Sequence, residues 1–309
     1  MTQVDRSTLR QALDGISGIL VTPFDADDRL APDRLRPVVD RAIRAGVHVL
    51  VANGNTSEYY GLEGDEAIAI VHAVAGQAAG RVPVLGGVGR SINEACRLAR
   101  ESARAGAAAL MVHQPPDPFV APRGIVEYVR RVADAGDGLP VVLYLRNEAI
   151  GLDAIEALCR LPAVVGVKWA SPTPIVLAEA MHRTAGLDIA WVGGLAETWA
   201  PPFYAVGARG FTSGLINVLP GLSMAIHAAL AQGDYAGAMA RIRAVWPFET
   251  LRAQERNGAN VTVVKAALQR MGLDCGATRP PSAWPLDAPS QATLDTLLAR
   301  LAAAESTGG

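Results

Sequence analysis

The chain has 309 residues, of which 50% are hydrophobic and 19% charged, and its formal net charge is −2 at pH 7. A globular chain of this kind can bury a large core, and the lack of a basic excess disfavours binding to nucleic acid or to an anionic membrane. The three cysteines, Cys96, Cys159 and Cys275, are too far apart in sequence to suggest a disulfide framework or a paired metal motif. No secretory signal or run of ~18 apolar residues is present, so the sequence predicts a cytoplasmic protein.

Short apolar runs alternate with amphipathic segments, which is typical of βα units around a parallel sheet. Eight runs are predicted as strands: 16–21, 47–52, 81–85, 108–112, 139–144, 164–168, 189–193 and 210–213. Helices are predicted after them at 32–45, 64–79, 92–105, a segment ending near 135, 152–161, 173–186 and 198–206. Eight such units without a linker or a change in composition predict an α/β fold, a single (β/α)8 TIM barrel.

The chain continues beyond the eighth predicted strand with a pattern that is helical throughout. The predicted helices are 220–231, 235–256, 259–271 and 292–303. We expect one of them to complete the barrel and the others to form a C-terminal helical extension packed on it. This divides the chain into a barrel at 1–231 and an extension at 232–309.

Lysine is rare in this chain, since Lys168 and Lys265 are the only lysines among 28 basic residues. Arginine stays protonated, whereas a desolvated lysine can lose its proton and attack a carbonyl. Lys168 ends the sixth predicted strand, and the C-terminal ends of barrel strands are where the active sites of such folds lie. Lys168 is therefore either a nucleophile or a strand-end lysine that extends its ammonium group into solvent.

Tyr144 ends the fifth predicted strand, so its side chain can meet that of Lys168 over one pocket. A neutral amine condenses with a 2-oxo acid to an iminium, which withdraws electrons and makes C–C cleavage or elimination feasible. Tyr144 would then move a proton during the reaction. The alternative is that Tyr144 is an aromatic plug at the top of the barrel.

The loop after the second strand, Gly54-Asn55-Thr56-Ser57-Glu58, offers small side chains and backbone N–H groups at a strand-to-helix turn. Such a turn can hold a carboxylate, although an ordinary capped turn has the same composition. Gly194 and Ser213 follow or end strands seven and eight, so they are also expected at the mouth of the barrel.

Neither a metal site nor a cofactor is predicted. The five histidines lack ligand spacing, and the loop assigned to Gly86–Gly89 matches neither nucleotide-binding glycine pattern. His113 either reaches the mouth of the barrel or forms a loop hydrogen bond, and the second interpretation is favoured.

A lysine on strand six, a tyrosine on strand five, a G-x-T-x-E loop and three added C-terminal helices resemble the dihydrodipicolinate synthase/N-acetylneuraminate lyase family. The resemblance runs from Gly18 to about Leu273. It implies a class I Schiff-base enzyme in which Lys168 forms the Schiff base, Tyr144 shuttles a proton and Thr56 with neighbouring amides binds the carboxylate of a 2-oxo acid. It also implies a homo-oligomer, a tetramer or a dimer.

Several segments differ from the synthases of that family. Synthases usually have Thr-Thr-Gly-Glu where this chain has Asn55–Glu58, and a tyrosine pair that crosses the dimer interface where it has His113–Pro118. Arg146, two residues after the tyrosine, and the segment 212–220 are more similar to the 5-dehydro-4-deoxyglucarate dehydratase branch. Trp169, directly after the lysine, is expected to give the substrate pocket a different shape.

These features predict a Schiff-base-forming dehydratase or aldolase that acts on a 2-oxo acid, such as the deoxy keto sugar acid 5-dehydro-4-deoxyglucarate. The residues expected to bind the substrate are Asn55, Thr56, Ser57, Arg146, Gly194 and Ser213. Arg146 is expected to hold a distal carboxylate or hydroxyls, or else to form a salt bridge with Glu148 or Glu58.

Three alternatives stay open at this point. The first is a pyruvate-dependent aldolase or synthase of the dihydrodipicolinate synthase type. The second is a barrel that binds sugar acids without turnover. The third, a metal-dependent aldolase, is disfavoured because the sequence has no ligand spacing.

Overall fold

Eight parallel strands close in sequence order into one barrel. The computed structural model describes residues 5–117, 119–282 and 284–307. Residues 1–4 and Pro118 of the predicted barrel, and Ala283 and residues 308–309 of the predicted extension, lie outside it. The strands are β1 (Ile16–Ile19), β2 (Val49–Ala52), β3 (Val84–Val88), β4 (Ala109–His113), β5 (Val141–Leu145), β6 (Val164–Trp169), β7 (Ala190–Gly193) and β8 (Gly210–Ser213). The predicted (β/α)8 barrel is confirmed.

The helices around the strands have one apolar face that packs on the barrel. Ser91 caps α4 through its side chain, and Ala95, Leu98, Ala99 and Ser102 form the buried face at helical spacing. The helices up to β8 are α1 (Arg6–Leu13), α2 (Arg36–Arg44), α3 (Gly64–Ala78), α4 (Ile92–Arg104), α5 (Pro122–Ala135), α6 (Leu152–Cys159), α7 (Pro174–Arg183) and α8 (Ala196–Ala205).

Helix α1 is an addition to the predicted elements. It is only eight residues long, and Asp5 caps it by accepting from the backbone N–H groups of Ser7 and Thr8. Leu9 and Leu13 are buried with side chains of the barrel interior. The helix therefore closes the end of the barrel opposite to the strand C-termini.

Strand β3 lies about three residues further along the chain than predicted. Gly86 and Gly87, which the sequence analysis assigned to a loop, belong to the strand. A Cβ atom at Gly87 would lie 2.2 Å from the carbonyl oxygen of Asn53, and one at Gly86 would lie 2.4 Å from Ser102 Oγ. These glycines serve close packing against β2 and α4, so their loop assignment was wrong.

Four helices follow β8: α9 (Pro220–Ala231), α10 (Tyr235–Asn257), α11 (Asn260–Arg270) and α12 (Ala288–Thr307). Helix α10 packs against α8 and α9 of the barrel as well as against α11 and α12. Its last turn is broken, because Gln254 is extended and Glu255 and Arg256 have left-handed backbone angles. The break brings the start of α11 to the C-terminal mouth of the barrel. Within the described ranges, no helix has the length and apolar content to cross a bilayer.

Candidate active site

A cavity of about 540 Å³ opens at the C-terminal ends of the barrel strands. Its walls come from strand ends, from the loops that follow them and from helices α8, α10 and α11. The lining residues are Ile19, Asn55, Thr56, Tyr144, Arg146, Lys168, Ala170, Pro172, Gly194, Leu195, Ala196, Thr198, Trp199, Thr212, Gly214, Glu249, Arg252, Ala253, Asn257 and Asn260.

A second groove, of about 790 Å³, lies at the opposite end of strands β5 and β6. Its ionic groups are already engaged: Arg6 donates to the carbonyls of Pro162 and Val164, and Arg130 pairs with Glu127 and Asp134. The chemistry expected of the strand C-termini is therefore at the smaller cavity.

Lys168 projects from β6 into the cavity and is only 4% exposed. Its Nζ lies 3.7 Å from the ring centroid of Tyr144. No carboxylate in the described part of the chain forms an ion pair with it. Burial and, to a smaller extent, the guanidinium of Arg146 lower the pKa of Lys168 to about 7. A large fraction of this amine is therefore neutral, and nucleophilic, near neutral pH.

Tyr144 is the direct register partner of Lys168 across the β5–β6 ladder. Its hydroxyl accepts a hydrogen bond of 2.9 Å from Asn55 Nδ2. Burial raises the pKa of Tyr144 to about 12, so the phenol is protonated at neutral pH. Because Asn55 is the donor in this contact, the phenolic proton stays free to be donated to a group in the cavity.

His113 lies behind Tyr144, with the two ring centroids 5.0 Å apart. Its Nε2 lies 2.8 Å from the carbonyl oxygen of Asn53, and its Nδ1 lies 3.3 Å from the hydroxyl of Tyr60. Burial, together with the nearby charge of Lys168, lowers the pKa of His113 to about 3. His113 is the last residue of β4, and the hydrogen bond expected of it is made to the loop after β2. The neutral ring supports Tyr144 from behind.

The loop after β2 presents one free hydroxyl to the cavity. Thr56 lines the cavity, and its Oγ1 has no hydrogen-bond partner within the described ranges. By contrast, Ser57 Oγ donates to the carbonyl of Leu20 at 2.6 Å and accepts from the N–H of Gly54 at 3.0 Å. The position of Ser57 therefore supports a role in holding the loop and argues against the expected substrate contact.

Strand β8 presents Thr212 to the cavity instead of Ser213. The Ser213 hydroxyl is fully buried beneath α9, where it donates to Glu197 and accepts from the N–H of Ile216. The predicted bounds of β8 were correct, but consecutive strand residues point to opposite faces, and the last residue points away from the cavity. This geometry argues against the substrate contact expected of Ser213.

The tryptophan that lines the cavity is Trp199 and not Trp169. Trp169 follows Lys168 on β6, points out of the barrel and is buried, with its ring 6.4 Å from that of Trp191. The expectation that Trp169 changes the shape of the pocket was wrong. Trp199 on α8, which the sequence analysis did not identify, lines the cavity instead. Gly194 lines it as predicted, and a Cβ atom there would lie 2.7 Å from the Trp169 carbonyl oxygen.

Arg146 stands at the rim of the cavity, with its Cζ 6.0 Å from the ring centroid of Tyr144. The two carboxylates that were its possible salt-bridge partners are occupied elsewhere. Glu58 pairs with Lys265 at 2.6 Å, and Glu148 interacts with Ser171 and Thr173. Arg146 therefore has no ion pair among the described residues and is available to an anion in the cavity.

The wall contributed by α10 and α11 was not predicted from the sequence. Glu249, Arg252, Asn257 and Asn260 come from a region about 80 residues or more beyond Lys168 and follow no recognisable motif. The only local sign was Asn257-Gly258, a dipeptide that favours a turn between two predicted helices. Helical periodicity gives no indication that such a turn faces a barrel mouth.

Comparisons with known proteins agree with this geometry. The sequence model of the Dihydrodipicolinate synthetase family matches residues 12–301. A probable 5-dehydro-4-deoxyglucarate dehydratase of Streptomyces coelicolor is 32% identical over 86% of each chain. The crystal structure of dihydrodipicolinate synthase from Oceanobacillus iheyensis is 34% identical, with a TM-score of 0.91 over 97% of this chain and 100% of the other.

A further solved structure is that of YagE, a prophage protein of the dihydrodipicolinic acid synthase family from Escherichia coli K12, in complex with pyruvate. It is 26% identical, with a TM-score of 0.81 over 93% of this chain and 98% of the other. The predicted resemblance is confirmed: this chain belongs to the dihydrodipicolinate synthetase family and is a lyase of the class I aldolase type.

Proposed function

We propose that the chain is a Schiff-base-forming dehydratase or aldolase for a deoxy keto sugar acid, with 5-dehydro-4-deoxyglucarate as the leading candidate. The observation that carries the proposal is the buried Lys168 amine, which lacks a carboxylate partner among the described residues and lies 3.7 Å from the Tyr144 ring. The naming of the Streptomyces coelicolor relative supports a dehydratase.

In the first step the neutral amine of Lys168 attacks the 2-oxo carbon, and the carbonyl oxygen leaves as water. The carbons are numbered here from the carboxylate next to the oxo group, so the iminium carbon is C2. The iminium draws electrons from the neighbouring carbon, so a C3 proton is lost and an enamine forms. The enamine electrons then expel a hydroxyl group from C4, which leaves as water after it receives a proton. In the aldol direction, the C4 hydroxyl loses its proton and the C3–C4 bond breaks, with its electrons passing to the iminium; the enamine that remains takes up a proton at C3. In both reactions, water then adds to C2 of the iminium, the C–N bond breaks, and the 2-oxo product leaves the free Lys168 amine.

The other cavity residues have matching roles in this proposal. The protonated Tyr144 supplies a proton to the departing oxygen, and Asn55 fixes the phenol through its hydrogen bond of 2.9 Å. The free hydroxyl of Thr56 binds the carboxylate next to the oxo group. Arg146, whose guanidinium suits bidentate recognition, binds the far end of the substrate.

Borohydride trapping tests the proposal directly. The protein is reduced in the presence of pyruvate and of several 2-oxo-3-deoxy sugar acids, and its peptides are weighed by mass spectrometry. We expect the peptide that contains Lys168 to gain the mass of the reduced adduct. Absence of labelling with every acid tried, or labelling at Lys265 instead, would contradict the mechanism.

The second candidate is an aldolase or synthase that uses pyruvate, which the solved complex of YagE with pyruvate favours. The two functions differ in their products. A dehydratase removes water from the sugar acid without releasing pyruvate, whereas an aldolase releases pyruvate together with an aldehyde. Assaying both products over one panel of sugar acids distinguishes them, and binding without either product would indicate a barrel that has lost turnover. The homo-oligomer and the cytoplasmic location stay predictions.

A further inference from the structure

The wall of the cavity formed by the C-terminal helices has an unusual backbone. Helix α10 ends in three consecutive non-glycine residues with positive φ: Glu255 at 50°, Arg256 at 58° and Asn257 at 68°. Left-handed angles cost about 1–3 kcal/mol at such residues and persist where the surrounding structure enforces them, often at functional sites. The turn holds the end of α10 and the start of α11 against the cavity.

Arg252 is the cationic residue of this wall, and its guanidinium is held on two sides. The residue is only 7% exposed. Its Nε donates to Asn260 Oδ1 at 2.9 Å, and its Nη1 donates to Glu249 Oε1 at 2.7 Å. Its Nη2 makes no hydrogen bond within the described ranges. The side chain therefore has a fixed orientation and one donor group left for a ligand.

Gly214, after β8, indicates where that donor group points. Its backbone angles, φ −89° and ψ −24°, are open to any residue, so conformation does not require glycine here. Glycine is required by the lack of space, because a Cβ atom would lie 2.4 Å from Arg252 Nη2 and 3.3 Å from Thr56 Oγ1. The two donors thus flank one point above Gly214, close enough for a single carboxylate to accept hydrogen bonds from both.

We propose that Arg252, supplied by the C-terminal extension, completes the carboxylate-binding site for the 2-oxo acid together with Thr56. This inference rests on the proposed function and extends it to the substrate class. Arg146 follows β5, whereas Thr56 and Gly214 follow β2 and β8, on the other side of the closed barrel. Two guanidinium groups on opposite sides of the mouth, with Lys168 projecting between them, fit a substrate with a carboxylate at each end.

Glu249 determines how Arg252 contributes. Its carboxylate neutralises one edge of the guanidinium, so Arg252 adds a directed donor more than it adds free charge. A lysine carries its three donors on a single nitrogen, so it does not reach Glu249, Asn260 and a ligand at the separate positions that the guanidinium fork spans. Arg252→Lys is therefore expected to behave like Arg252→Gln, which a role based on charge alone does not predict.

The test compares two ligands that share a carbon skeleton, pyruvate and the uncharged methyl pyruvate. For Arg252→Gln we expect the pyruvate concentration that gives half-maximal borohydride labelling to rise about 10- to 100-fold, as for a lost charge-assisted hydrogen bond. The value for methyl pyruvate should not change. Gly214→Ala, which leaves the Arg252–Glu249 pair intact but displaces Nη2, should act in the same direction. Arg241→Gln, on the exposed side of α10, is the matched control.

Calorimetric binding of pyruvate to Lys168→Ala, with and without Arg252→Gln or Gly214→Ala, separates the two proposals. Weaker binding in either double variant supports the role of Arg252 even if the wild type forms no imine. Imine formation that neither substitution affects overturns the role of Arg252 and leaves the proposed function standing. The role of Arg252 is also overturned if pyruvate fails to bind to Lys168→Ala or to the wild type. Thermal melting of each variant checks that it is folded.

Discussion

Lys168 and Lys265, the two lysines of the chain, are both buried but have different neighbours. Lys265 on α11 is 0% exposed, and its Nζ lies 2.6 Å from Glu58 Oε1 and donates to the carbonyl of Ala277 at 2.9 Å. Lys168 is 4% exposed and has no carboxylate partner within the described ranges. Burial lowers the pKa of both, but the Glu58 carboxylate opposes this effect at Lys265, whereas Arg146 adds to it at Lys168.

The aromatic neighbours of the two amines differ as well. Nζ of Lys265 lies 4.3 Å from the ring centroid of Phe24, and that of Lys168 lies 3.7 Å from the ring of Tyr144. Only the second ring carries a hydroxyl group, and it lines the cavity at the C-terminal ends of the strands. Burial alone therefore does not produce a nucleophile: an unpaired charge and a nearby proton donor distinguish the reactive site from the structural one.

The largest difference is expected when each lysine is replaced by methionine in turn. Lys168→Met should abolish imine formation and reduce turnover by about 10⁴-fold or more, since it removes the group that bonds to substrate. Lys265→Met should still be labelled at Lys168 by pyruvate and borohydride in its folded fraction. Mass spectrometry of the reduced protein measures imine formation in both variants. An adduct on Lys168→Met would show that another residue forms the imine.

Tyr144→Phe makes the ring beside Lys168 resemble the ring beside Lys265. Loss of the phenolic proton donor should lower kcat by about 10²- to 10⁴-fold. Imine formation with pyruvate should persist, because the lysine still attacks the carbonyl. Single-turnover labelling and steady-state kcat report the two steps separately. An unchanged kcat would show that another group moves the proton.

The two methionine variants should have opposite effects on stability. Lys265→Met leaves Glu58 buried without its cation and should lower the free energy of unfolding by about 3–5 kcal/mol. Lys168→Met removes an ammonium group that is destabilised by burial, so it should stabilise the protein near neutral pH.

The stabilising effect expected of Lys168→Met follows from the pKa of Lys168, which is about 7 in the folded protein, whereas its ordinary value is 10.5. The unfolded chain binds more protons between these two values, so the destabilisation is full below the folded pKa and disappears as pH rises to the unfolded one. Urea unfolding at about pH 6 and about pH 10 should therefore show a gain from Lys168→Met that shrinks with pH. A gain that is independent of pH would indicate repacking instead.

The smallest effect concerns the charge of Arg146. Its guanidinium helps to lower the pKa of Lys168, so Arg146→Gln should raise that pKa and move the rising limb of kcat/KM to higher pH, by about one unit or less at an exposed site. With a dicarboxylic substrate, KM should rise as well. A rising limb that stays in place or moves to lower pH would show that Arg146 does not act on the lysine.

The sequence was informative where local pattern decides the structure. Alternating apolar runs predicted the barrel, and their ends identified Lys168 and Tyr144, which the register places opposite each other. The bounds of β8 were predicted correctly, but the pattern did not indicate which of its side chains faces the cavity, so Ser213 was selected in place of Thr212. Arg252 could not be predicted, because its position depends on a left-handed turn that only tertiary packing enforces.

The two residues of the Glu58–Lys265 ion pair are synthesised at very different times during translation. Glu58 belongs to the same loop as Thr56, in the second βα unit, whereas Lys265 emerges from the ribosome more than 200 residues later. Until α11 arrives, the acid beside Thr56 lacks the cation that compensates its burial. The loop that carries Thr56 and Glu58 therefore gains this stabilising contact only after the whole barrel has been synthesised.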